Sequence, residues 1–259
     1  MTDSVEFGFP EFARTIFAEY GPALILAHEH SHLANKMIGA LPTHMTRDQV
    51  VINMLVRMTT TGWIELLLLI GNGAGLGAMK IARGMFEGAV MAEYLRQTPD
   101  EIDDYIEYGH VLDFKRMKLF PEAVSAEKAR EIENEYARVK ARFENKNGKM
   151  RNHWNKHPIS YMAEKVGRAQ QYEIPYAIAA SIHHGNFEAM IAHLSGDESL
   201  PEIESPPSLA WVKQALVSGH VYLLQALNTL NTVFDLGFDL GAAGEAFEKV
   251  WRKAAASGA

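Results

Sequence analysis

The 259-residue chain has no cysteine. Disulfides, thiolate nucleophiles and cysteine-ligated zinc or iron–sulfur centres are therefore excluded. Positive charge is also scarce: 25 Lys and Arg stand against 32 Asp and Glu, a formal net charge of −7. An acidic chain repels phosphate backbones, so nucleic acid is an unlikely partner unless the charge is locally reversed. No segment alternates apolar and polar residues with period two between turn signals, and strands are not expected. The opening MTDSVEFGFPEFAR lacks the basic region and apolar run of a secretory signal, so a cytoplasmic protein is expected. The most apolar window, Met58 to Met79, is broken by Glu65 and a run of glycines. It suits a core helix and turn better than a membrane span.

What is present is helical. Apolar residues make up 47% of the chain and charged residues 22%, enough to bury a sizeable core. Apolar residues recur at three- and four-residue spacing from Phe12 to Ile38, with Pro10 near the start and Gly39 past the end. Thr46-Arg47-Asp48-Gln49 has the form of a capping box and opens a second helix, about Asp48 to Ile70. A third runs from Gly77 to Gln97, and a fourth from Asp100 to before Pro121. A charged, exposed fifth helix follows Ser125. A short helix follows Pro158, and another runs from Pro175 to Leu194. Residues 195–208 form an acidic, Pro-rich connecting loop. Beyond it a strongly apolar helix, Leu209 to Phe234, must pack back into the bundle, and a last amphipathic turn or two surrounds Phe247 and Trp251. The expectation is an all-α single domain over residues 1–259, a bundle of about seven to nine helices.

Gly71-Asn72-Gly73-Ala74-Gly75-Leu76-Gly77 superficially resembles a dinucleotide loop. Its order is GxGxGxG, however, and a helix–helix turn is the better reading. Glu29/His32 and Glu107/His110 are both Glu-x-x-His pairs, as in di-iron bundles, but helical phase puts Glu29 and His32 on a polar face. His28 and His30 flank the apolar stripe instead.

Arg83 and Glu87, four apart, share a face of a helix that reads as buried all round. Glu65 is the only charge between Arg57 and Lys80. His183 and His184 have apolar neighbours at three and four residues, so at least one should point inward. His220 falls on the line Leu216, Leu223, Leu227 and is expected to be buried. Convergence of these groups would give an acid/base site of Arg83, Glu87, His184 and His220. It could equally give a divalent-metal site of Glu65, Glu87, His183 and His184. The bland alternative is a set of satisfied core polar groups.

Arg151-Asn152-His153-Trp154-Asn155-Lys156-His157 resembles the Arg-x(4–6)-His motif of the HEPN ribonucleases, helical and often dimeric proteins that cleave RNA without metal. That resemblance would assign cleavage to Arg151 and His157.

The segment Ala78-Met79-Lys80-Ile81-Ala82-Arg83-Gly84-Met85-Phe86-Glu87, continuing to Tyr94-Leu95 and Pro99, resembles the core of domain-of-unknown-function family fifty-six seventy-seven. The Trp-led segment from His153-Trp154 through Ile159-Ser160 and Ala163 to Gly167 is similar to a later element of that family. Ser181-Ile182-His183-His184 is similar to its Ser-x-x-His element. The resemblance spans roughly Met54 to Leu194. It implies a helical fold, brings no established activity, and points to Arg83, Glu87 and His184.

Beside the least favoured ribonuclease reading, two functional classes are open. One is a small-molecule-binding protein or metal-dependent enzyme with a polar pocket, and the other is a non-enzymatic regulatory or interaction bundle. A homodimer is expected as well, because the last long helix is apolar over most of its circumference.

Overall fold

A computed structural model describes residues 8–186, 194–197, 200–203 and 209–256. Among them are nine α-helices of seven or more residues: α1 Pro10–Gly39, α2 Arg47–Gly71, α3 Gly75–Gln97, α4 Ile102–Leu119, α5 Ala126–Phe143, α6 Ile159–Lys165, α7 Ala177–His183, α8 Val212–Phe234 and α9 Leu240–Ala256. The all-α bundle is as expected.

The local chemistry explains the boundaries. Thr46 caps α2 reciprocally with Gln49: the Gln49 amide donates to Oγ1 at 3.3 Å and the Thr46 amide to Oε1 at 3.0 Å, satisfying two otherwise orphaned donors. Pro22 lies inside α1, and the non-helical backbone at Tyr20 marks the kink it causes. The glycine-rich stretch is a turn, as expected: Gly73 has φ +70°, and Asn72 Oδ1 accepts from the Phe9 amide. Gly75 is required for a different reason. A Cβ there would collide with the Ala210 carbonyl oxygen, where the chain enters α8 through Trp211 in the left-handed region.

Helices α2, α3 and α8 pack on one another as the centre of the fold. Val56, Trp63, Leu66, Phe86, Val90, Leu216, Leu223 and Leu227 are all fully buried there. α1 crosses α2 and α8, with α9 against it. α4 and α5 form a peripheral hairpin tied by Arg138 and Arg142 to Glu107 and by Arg142 to Asp104. α6 and α7 flank α3.

Three expectations change. The last helix is seventeen residues long, not a turn or two. The expected connecting loop contains a short antiparallel hairpin, Leu194–Asp197 with Leu200–Ile203; residues 187–193 of the expected seventh helix and 204–208 of the loop lie outside the described residues. The surface of α8 on which a dimer was expected is largely covered within the chain: Val212, Leu216, Tyr222, Leu223, Leu227 and Leu230 are buried.

Candidate functional site

Arg83 and Glu87 project from α3 toward α7. Arg83 Nε donates to Glu87 Oε1 at 3.2 Å. Tyr176 Oη donates to the same carboxylate oxygen at 2.8 Å. Arg83 Nη1 lies 3.5 Å from His184 Nε2, across 101 positions of sequence. An arginine can only donate, so any hydrogen bond in this contact is accepted by the imidazole nitrogen. The Arg83 guanidinium also sits over the Tyr176 ring, 5.7 Å from its centroid.

Tyr176 reaches the site because of an irregular backbone. A single helical turn, Ala169–Gln171, and a π-helical turn, Tyr172–Tyr176, lead into α7, with Pro175 inside the π turn. Such turns rotate a side chain out of regular register. Burial first, and then the bond to Glu87, push the Tyr176 hydroxyl up to about 12. It therefore keeps its proton and serves as a donor. Burial works against the charge on Arg83, but Tyr176 and Glu87 outweigh it and hold the guanidinium above its ordinary value.

Glu87 also lines an open groove of about 690 Å³ between α2 and α3. Its walls are mainly apolar (Met54, Met58, Met85, Met91, Tyr105 and Trp154), with Arg57, Glu65 and Lys80 at intervals. Two close approaches shape it. A Cβ on Gly62 would press on Met85, and one on Gly88 would press on Thr59.

The structure therefore brings Arg83, Glu87 and His184 together, and corrects other expectations. Arg83 and Glu87 are not sealed in the core, since their side chains are 22% and 36% exposed. Glu65 is exposed on the α2 wall of the groove. Neither member of the 183–184 pair points inward: both are exposed, and their rings meet in a T-shaped contact at 5.2 Å. Among the described residues, no three His, Asp or Glu side chains gather closely enough to hold a metal ion, so Glu65, Glu87, His183 and His184 are not assembled as a ligand set. His220 is buried, as expected, but away from the groove. Its ring meets His30 at 5.3 Å, Trp63 at 4.6 Å and Phe247 at 5.5 Å, and Nδ1 bonds the Leu216 carbonyl at 3.0 Å. The Glu-x-x-His pairs do not converge either: Glu29 and His32 are exposed, while Glu107 binds Arg138 and Arg142.

The residues of the ribonuclease motif have other partners. Arg151 donates to the Trp154 and Arg142 carbonyls at 3.0 and 2.9 Å, and His157 stacks on Tyr161. No contact joins Arg151 to His157 among the described residues.

The family of unknown function DUF5677 matches residues 48–201. The chain belongs to that family. No curated protein and no solved structure matches it. The DUF5677 match contains Arg83, Glu87, Tyr176, His184 and every residue lining the groove, whereas His30 and His220 lie outside it. The groove and the polar set beside it thus belong to the portion of the chain that the family defines.

Proposed function

We propose that this DUF5677 member binds a small molecule with an anionic head and an apolar body, and that Glu87 supplies acid–base chemistry beside it. The observation that carries this reading is the connected set Arg83–Glu87–Tyr176–His184. It joins α3 to the α7 region, and its member Glu87 lines an apolar groove. Grooves with apolar walls and a few convergent polar groups are the usual form of a ligand site. Arg83 would hold the anionic group. Tyr176 would donate a hydrogen bond. Glu87 would accept or return a proton. His184, exposed beside Arg83, would contact the head of the ligand. The methionines and Trp154 would take the apolar part.

Thermal-shift titration with octanoate tests the proposal, with octanol and inorganic phosphate alongside. Octanoate should raise the melting temperature of the wild-type protein more than either control does, and Arg83→Gln should abolish the difference. If octanoate and octanol act alike on both proteins, the four residues are structural and the regulatory or interaction reading stands instead.

A further inference from the structure

The outer face of α2 carries a stripe of exposed apolar side chains. Val50, Met54, Ile64 and Leu68 are 45%, 53%, 44% and 64% exposed. With Arg57 and Thr61 between them they follow the alternating four- and three-residue spacing of a coiled-coil seam. A soluble chain rarely leaves such a stripe open along a whole helix. We infer that a second copy of this chain covers it, the two α2 helices running antiparallel about a two-fold axis at Thr61.

The pattern of residues about Thr61 supplies the argument. A two-fold axis there exchanges positions equally far on either side. Met54 then meets Leu68 of the second copy, seven positions out. Met58, also exposed, meets Ile64, three positions out. Arg57 meets Glu65, four positions out, and each of these contacts occurs twice. The charges are complementary only in this direction. A parallel pairing in register would set Arg57 on Arg57 and Glu65 on Glu65, which is repulsive.

Both charges are available for such a contact. Among the described residues Glu65 has no ion-pair partner, and Arg57 bonds only Asn53, at 3.2 Å. α2 is also the one described helix long and apolar enough to cross a membrane. An arginine and a glutamate in the middle of its open face would be costly in lipid and are matched in the dimer, so the face fits protein better. The face shares Met54, Arg57, Met58, Thr61 and Glu65 with the lining of the groove, so a second copy seated on α2 would form one further wall of it. The test of the pairing needs no ligand, so either reading can fail alone.

Because the chain lacks cysteine, single-cysteine variants report the geometry directly. Thr61→Cys should cross-link to itself under mild oxidation. Met54→Cys should not, because the two copies of that position lie about 21 Å apart along antiparallel helices. A mixture of Met54→Cys and Leu68→Cys should form a mixed disulfide. In sedimentation at micromolar concentration the wild-type protein should be a dimer. Arg57→Glu and Glu65→Arg should each weaken association roughly tenfold or more, and the double reversal should restore it. A monomeric wild-type protein overturns the inference. So does self-cross-linking of Met54→Cys, or a dimer indifferent to both single reversals. Flotation of the wild-type protein with phosphatidylcholine vesicles would assign the face to a membrane instead.

Discussion

Burial pushes His220 down to about 3, with help from His30 beside it. Burial also lowers His30, partly offset by Glu29 and the Ala243 backbone. Both imidazoles are therefore neutral in the folded chain near neutral pH. The unfolded chain takes up these protons near the ordinary histidine value of about 6.5. Below that pH it binds more protons than the folded state, so the stability these residues confer is complete above about 6.5 and declines as pH falls toward 3. For His220 alone the loss by pH 4 should be on the order of 3 kcal/mol. Urea unfolding of wild type and His220→Gln between pH 7 and pH 4 measures it. The variant should lose less stability over that range, and parallel curves would contradict the argument.

The candidate site was legible at three of its four members. Arg83 and Glu87 are visible through their spacing in an apolar helix, and His184 through the family resemblance. Tyr176 was missed because a π turn, which period-3.6 reasoning does not anticipate, aims it. The nearest signal is Pro175 between two aromatic residues four apart. His220 was placed correctly as buried, but phase on one helix does not show which other helices meet it there.

At the scale of elements, α2 shows how local chemistry and packing divide the work. Thr46→Ala removes one half of the cap and should cost about 1 kcal/mol, read as a lower denaturation midpoint with unchanged slope. Gly75→Ala should cost more, roughly 2–3 kcal/mol, because its methyl group would occupy the space of the Ala210 carbonyl oxygen. If the two variants proved equal, the approach of α3 to the start of α8 would be looser than it is described. The capping box, the prolines and the glycine turn are written locally, which is why the helix boundaries up to α5 were readable from sequence to within a few residues. Gly75 looks from sequence like one more flexible glycine. The close contact that requires it is made by a residue 135 positions away in the chain. The apolar face of α8 illustrates the same limit: its composition showed that it had to be covered, and only the packing of α2, α3 and α9 shows that the chain itself covers most of it.

Across the whole molecule, burial is uneven, and so should be the stability. α2, α3 and α8 carry most of the fully buried residues, whereas α5 buries only Val139 and Phe143. Ion pairs tie α5 to α4 at Lys118–Glu133 in its first half and at Arg138 and Arg142 in its second, each contributing about 0–1 kcal/mol and weakened by salt. The Phe114–Tyr136 stack lies toward the second half. A helix held in this way can open without the core. In native-state hydrogen exchange, amides of α8 should exchange only through global unfolding. Those in the first half of α5 should exchange through a smaller opening that becomes easier as salt is added. The carboxyl-terminal turn of α5 should be slower than its start, because Phe143 packs on Tyr108 and Arg151 stacks above it. Equal protection of α5 and α8, unaffected by salt, would mean that the ion-paired hairpin is as integral to the fold as the three central helices.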